Sequence, residues 1–116
     1  KALPFISLST DTSAITAIGN DFNFDKIFSR QIEAIGFTND IFIPISTSGN
    51  SKNIINAAKY CNDNNIRIIS LTGFDGGRLK NLSDININIS TNSTQRIQEM
   101  HILVGHILCD IVEHSF

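Results

Sequence analysis

The chain lacks much of what several protein classes require. Its two cysteines, Cys61 and Cys109, share no metal-like spacing. Each falls in a helical pattern, which predicts buried, reduced thiols in a cytoplasmic protein. No apolar run approaches the length that spans a bilayer, and no signal-peptide pattern opens the chain. A net charge of −2 and the absence of any Lys/Arg run argue against a nucleic-acid or membrane-surface partner. Neither a GxGxxG fingerprint nor a GxxxxGK[ST] loop is present, so dinucleotide and nucleoside-triphosphate binding lose their usual support. No internal repeat occurs. The only methionine is Met100, and Lys1 stands close to an apolar segment. This predicts the remainder of a longer protein, with part of any site lying elsewhere.

What is there is an ordinary single-domain composition: 116 residues, 41% hydrophobic and 17% charged. The informative stretch is Ile41-Phe42-Ile43-Pro44-Ile45-Ser46-Thr47-Ser48-Gly49-Asn50-Ser51. An apolar, β-branched run leads into hydroxyls around one glycine, and Lys52 to Asn64 follow with helical spacing. Strand, hydroxyl loop and helix in that order build an anion site at the carboxyl end of a sheet. Unpaired N–H groups at a helix start carry partial positive charge, and Ser46, Thr47, Ser48 and Ser51 add hydroxyl donors. The plainer alternative is a serine-rich turn in which Ser51 or Asn50 caps the helix. The ligand this predicts is a small phosphate monoester, held without a P-loop lysine. Lys52 reads as a solvated surface residue.

Elsewhere, Leu3 to Ser9 reads as a short strand with Pro4 at its start. Thr10 to Ser13 caps a brief helical segment, Ala14 to Ile18, which Gly19-Asn20-Asp21 breaks. Asp25 caps a helix that carries Ile27, Phe28, Gln31, Ile32 and Ile35 on one side and stops at Gly36. Arg67 to Thr72 is the next strand, and the Gly73–Gly77 loop after it reads either as a close approach to a ligand or, the plainer alternative, as tight strand-to-helix packing. A helical turn around Leu79 to Leu82 precedes Asp84 to Ser90, whose alternating isoleucines and asparagines predict a half-exposed edge strand. The last helix, Thr94 to about His114, buries a stripe of Ile97, Met100, Val104, Ile107, Leu108 and Ile111. Alternating strands and helices imply an α/β fold: a parallel sheet with helices on both faces.

Polar residues interrupt that last helix. His106 sits in its most hydrophobic part and reads either as a hydrogen-bonded core histidine or as a general base or metal ligand, with Asp110 one turn on to orient it. Gln98 and His106 are separated by roughly 12 Å along an ideal helix and about 80° around it. His101 and His114 read as peripheral. Asn20 and Asp21 could bind sugar hydroxyls, and Asp21 serves equally well as a cap or turn residue.

Ile18-Gly19-Asn20-Asp21-Phe22, Ile45 to Ser51, Leu71-Thr72-Gly73 with Gly76-Gly77, and Arg96-Ile97-Gln98-Glu99-Met100-His101 with His106 occur in that order. This series resembles the SIS (sugar isomerase) domain family, and within it the phosphoheptose isomerases. The resemblance covers essentially the whole chain and casts 1–116 as the C-terminal portion of a SIS domain. It implies a three-layer, flavodoxin-like parallel sheet. It also implies a cytoplasmic homotetramer with active sites shared between subunits. The implied reaction is isomerisation of sedoheptulose 7-phosphate to D-glycero-D-manno-heptose 7-phosphate, towards the ADP-heptose of lipopolysaccharide or capsule. By motif match, Ser46, Thr47, Ser48 and Ser51 would hold the phosphate, and Asn20 and Asp21 would bind substrate. Gln98 and His106 would touch substrate and, in members that bind it, zinc. His106 would be one of two acid/base residues.

Against the family pattern, the first strand, its glycine-rich loop and the helix with a histidine and the catalytic glutamate are missing from this sequence. Leu3 to Ser9 would then have no neighbour in the sheet, and the chain alone is expected to be poorly stable and inactive. Gln95 stands where some relatives have an acidic residue. Two non-catalytic SIS proteins offer other readings, an adaptor of the bacterial replication initiator and a sugar-phosphate sensor. His106 and the unbroken Ser46-Thr47-Ser48-Gly49 favour the enzyme over the adaptor. A sensor would need the phosphate loop but not His106.

Overall fold

The β-branched run at 67–73 becomes the middle of a parallel sheet. In the computed structural model, which describes residues 2–116, this strand, β3 (Arg67–Gly73), pairs with every other strand. On one edge lie β1 (Ile41–Phe42) and β2 (Ile45–Ser46), both with the same offset of 26 residues to β3. They are two halves of one strand, interrupted at Ile43-Pro44 because Pro44 has no N–H for the ladder. Its carbonyl still accepts from Leu71 N at 2.9 Å. On the other edge, β4 (Ile85–Ile89) pairs with Ile69 to Gly73.

The period of two along these strands separates two faces. Phe42 and Ile68 face α2 (Ile27–Ile35) and α3 (Lys52–Asp63), where Ile32, Ile54, Ile55, Ala57, Ala58, Cys61, Ile66 and Leu79 complete the core. Leu79 comes from α4 (Gly77–Lys80). The opposite face receives α5 (Thr94–Ser115), whose Ile97 lies against Gly73. The sheet therefore has helices on both faces, as the alternating pattern predicts. No helix among the described residues is long and apolar enough to cross a membrane.

Five expectations need correction. Leu3 to Ser9 is not a strand. It makes no ladder hydrogen bonds and is held instead through Leu8, which packs on the core and whose carbonyl accepts from Gln31 Nε2 at 3.1 Å. Without a neighbour, an extended segment has nothing to pair with. The first helix also runs on. As α1 (Thr12–Phe22) it is capped by Asp11, which accepts from Ala14 N at 2.9 Å, and passes through Gly19-Asn20-Asp21. One glycine costs a helix only about 1 kcal/mol, and the break falls at Asn23, with φ 86°. Asn23, not Asp25, then caps a 3-10 turn, Phe24–Lys26, that leads into α2.

The stripe of α5 is mostly uncovered: Met100, Ile107 and Ile111 are exposed, and Ile97 and His101 are the buried residues. The helix packs mainly on β3 and β4, through Ile97 and His101 near its start, and most of its length beyond them is exposed or half-buried. For the same reason Cys109 is exposed, whereas Cys61 is buried. β4 is the half-exposed edge strand expected, and its asparagines do more than face water. Asn86 Nδ2 donates to Ser70 Oγ and Thr72 Oγ1, both at 2.8 Å, and Thr72 Oγ1 donates to Asn88 Oδ1 at 2.9 Å. Buried hydroxyls on β3 need partners, and the asparagines of the neighbouring strand supply them.

Candidate functional site

β2 ends at Ser46, which is buried, and the chain turns through Thr47, Ser48, Gly49 and Asn50 into α3. The turn is closed by Gly49 N donating to Ser46 O at 3.1 Å. Gly49 has φ +63°, and a Cβ there would sit 2.0 Å from the carbonyl oxygen of Gly76. Gly77, with φ +54°, has its own Cβ position 2.4 Å from Ser48 O. The two loops after β2 and β3 therefore lie backbone against backbone, which only glycine permits. Gly73 N donates to Thr47 O and Leu79 N to Gly49 O, both at 2.9 Å. Asn50 completes the clasp: its amide donates to Ser48 O at 3.0 Å and accepts from Arg78 N at 3.1 Å. The glycine loop packs, as expected, and what it packs on is the hydroxyl turn.

Ser51 decides between the two readings of that turn. It occupies the N-cap position of α3 but makes no capping bond with its side chain. Its Oγ lies 3.2 Å from Ser46 Oγ instead. Ile54 N donates to Asn53 Oδ1 at 2.8 Å, and the N–H groups of Lys52 and Asn53 are left open beside exposed hydroxyls of Ser48 and Ser51 and the half-buried Thr47. Open helix N–H groups, a favourable dipole and several hydroxyls can bind an anion. A serine acting as an ordinary helix cap would have closed this end.

The other candidates lie on α1 and α5, and none of the side-chain hydrogen bonds found among the described residues links them to the turn. Asn20 and Asp21 are exposed on α1, where Asn20 Nδ2 donates to Asp21 Oδ1 at 2.9 Å. Gln98 and His106 are exposed on α5. His106 stands about 140° around the helix from the sheet-facing His101, so it points away from the sheet of its own chain. Asp110 does not orient it: Asp110 Oδ1 lies 3.5 Å from His114 Nδ1, and its backbone carbonyl 2.9 Å from the same atom. A groove of about 420 Å³, lined by Arg30, Asn56, Lys59 and Tyr60 among others, lies between α2 and α3 rather than at the turn.

For zinc, the donors on hand do not suffice. Among the described residues there is no group of three His, Cys, Asp or Glu side chains that could hold a metal. Gln98 and His106, roughly 12 Å apart along one helix, do not close a tetrahedral site between them.

The residue that sequence reasoning misplaced is His101. It is 3% exposed, and its Nε2 lies 3.0 Å from Thr72 O. The signal was its spacing of four from Ile97, which puts both on one helix face.

Fold and turn together place this chain among the α/β domains that present an open helix start at the carboxyl end of a parallel sheet. A profile of the SIS domain family matches residues 1–73, and the chain belongs to that family. Phosphoheptose isomerase of Helicobacter pylori (strain Shi470) is 53% identical over 116 residues, covering all of this chain and 60% of the relative. That of Aliarcobacter butzleri (strain RM4018) is also 53% identical, over 99% of the chain and 61% of the relative. The solved phosphoheptose isomerase GmhA of Neisseria gonorrhoeae superposes with a TM-score of 0.90 at 46% identity, over 92% of this chain and 61% of the other. That of Francisella tularensis gives a TM-score of 0.93 at 41% identity, over 97% and 60%. The chain spans about 60% of the length of the curated relatives it matches.

Proposed function

We propose that the protein carrying this chain is a phosphoheptose isomerase that interconverts sedoheptulose 7-phosphate and D-glycero-D-manno-heptose 7-phosphate. The observation that carries this reading is the open start of α3, where Ser51 turns its hydroxyl to Ser46 rather than capping the helix. The isomerases to which the chain is 53% identical support the assignment of the substrate.

Moving a carbonyl between C2 and C1 takes a proton from one carbon and returns it to its neighbour through an enediol(ate). Groups that titrate near neutrality perform such transfers, and an imidazole is one. In this reading Ser46, Thr47, Ser48, Ser51 and the N–H groups of α3 hold the phosphate, fixing the reacting carbons against the base. Asn20 and Asp21 bind sugar hydroxyls, Gln98 contacts the substrate, and His106 moves one of the two protons. His106 faces away from its own sheet, so it would serve the turn of a neighbouring subunit in a cytoplasmic homotetramer. Zinc, where bound, would stabilise the oxyanion. Gln98 and His106 are the donors this chain offers it, and the remaining ligands would come from elsewhere.

The test is to incubate the full-length protein with sedoheptulose 7-phosphate, follow the aldose product, and repeat with His106→Ala. Turnover that falls by about 100-fold or more in the variant supports the role of His106 as a proton carrier. Unchanged turnover removes it from the mechanism. No turnover by the wild type, together with binding to the replication initiator, replaces the enzyme with the adaptor.

A further inference from the structure

His101 is left unused by the reaction above, yet it holds the helix that carries two of its residues. α5 has 22 residues, and its buried ones are Ile97 and His101. Ile97 fills the space over Gly73, where a Cβ would come within 2.3 Å of Ile97 Cδ1. One turn on, His101 Nε2 meets the Thr72 carbonyl at 3.0 Å. The other side-chain hydrogen bonds found for α5 among the described residues stay within the helix or its cap. Thr72 is itself fixed from the far side, by Asn86 at 2.8 Å and Asn88 at 2.9 Å on its Oγ1. It pairs in register with Ser46, and the N–H of the next residue, Gly73, donates to Thr47 O at 2.9 Å. The imidazole is thus joined to the hydroxyl turn through Thr72 and one peptide unit. A carbonyl oxygen only accepts, so the ring proton belongs on Nε2. That leaves Nδ1 a bare lone pair, and Nδ1 is buried without a partner among the described residues.

We infer that His101 is a positioning residue: with its proton on Nε2 it fixes α5 against the end of β3. It thereby sets where Gln98 and His106 stand relative to the subunit's frame. This rests on the isomerase reading. α5 is one unbroken helix, so its seat determines the placement of every side chain along it. A base displaced by about 1 Å loses about 100-fold in rate, because the reacting atoms leave their near-attack geometry.

The experiment uses the full-length protein with sedoheptulose 7-phosphate, and compares the wild type with His101→Leu and His101→Gln. Leucine removes the donor, whereas glutamine brings an N–H to about the place of Nε2. Two-bond 1H–15N correlations of the His101 ring are recorded alongside. We expect the proton on Nε2, and a kcat lowered by about tenfold or more in the leucine variant with KM changed less than about threefold. Glutamine is expected to restore kcat to within about threefold. Where the leucine variant does not fold, His101→Asn, too short to reach the carbonyl, takes its place with the same expectation. A proton on Nδ1, a folded leucine or asparagine variant with wild-type kcat, or a glutamine variant as slow as the leucine one overturns the inference. A residue that only stabilises the fold would lower the melting temperature and leave kcat intact while the protein is folded. An inactive wild type sinks the isomerase reading. An active wild type with an unaffected leucine variant sinks only the role of His101.

Discussion

Ser51→Ala separates the two readings of the hydroxyl turn in one protein. If Ser51 served to cap α3, the substitution would cost about 1 kcal/mol of stability and leave phosphate affinity alone. In the structure the side chain makes no capping bond and, from the exposed side, lies 3.2 Å from the Oγ of the buried Ser46. Water can replace one hydroxyl of such a pair, so the stability change is expected to stay near about 0.5 kcal/mol. The ligand loses more. A hydrogen bond to a charged group is worth about 1.5–3 kcal/mol, which corresponds to about 10- to 150-fold in affinity. The assay pairs a urea titration with KM for sedoheptulose 7-phosphate and competition by inorganic phosphate. A variant destabilised by about 1 kcal/mol with unchanged phosphate affinity would refute the reasoning, because that is the behaviour of a cap.

Three further effects, of substitution, labelling and pH, follow from the same structure. Gly49→Ala combines a left-handed backbone costing about 1–2 kcal/mol with a Cβ 2.0 Å from Gly76 O. Relieving that contact parts the two loops and breaks bonds such as Leu79 N to Gly49 O, at about 1 kcal/mol each. A total loss of about 3–4 kcal/mol is expected in urea, and less than about 1 kcal/mol would mean that the loops do not lie in contact. Burial pushes the Cys61 thiol up from 9.0 to about 12, while Cys109 is exposed. In the native protein a chromogenic disulfide at neutral pH should therefore label Cys109 and spare Cys61 until unfolding. The unfolded chain loses the Cys61 proton first. Its contribution is therefore intact below pH 9.0 and declines towards pH 12, by at most about 1.4 kcal/mol per pH unit. A Cys61→Ala variant that keeps the same alkaline slope would show that another group causes it.

Local chemistry made part of this molecule readable. β3, β4 and α3 announce themselves through β-branched runs and helical spacing, and the hydroxyl turn is contiguous in sequence. The packing role of Gly73–Gly77 was legible too, although its partner, the turn itself, was not. What was missed depends on partners distant in sequence. Leu3 to Ser9 has the composition of a strand but no edge to join. Gly19 to Asp21 look like a stop, yet the Asp11 cap and the turns beyond outweigh one glycine. On α5 the apolar positions suggested a buried stripe, and how much of it is covered depends on which surfaces the helix crosses. His101 was passed over because a polar residue on the face of Ile97 reads as an interruption until Thr72 O is seen opposite it. The alternation of β4 gave its half-exposed edge position, while the bonds of Asn86 and Asn88 to Ser70 and Thr72 depend on a strand distant in sequence.

Every strand of this sheet touches β3, and β1, β2 and β4 do not pair with one another. Pull those seven residues out of register and no two-stranded remnant survives on either side. Melting should consequently proceed in a single step, with the amides of β3 exchanging their hydrogens only when the entire sheet comes apart.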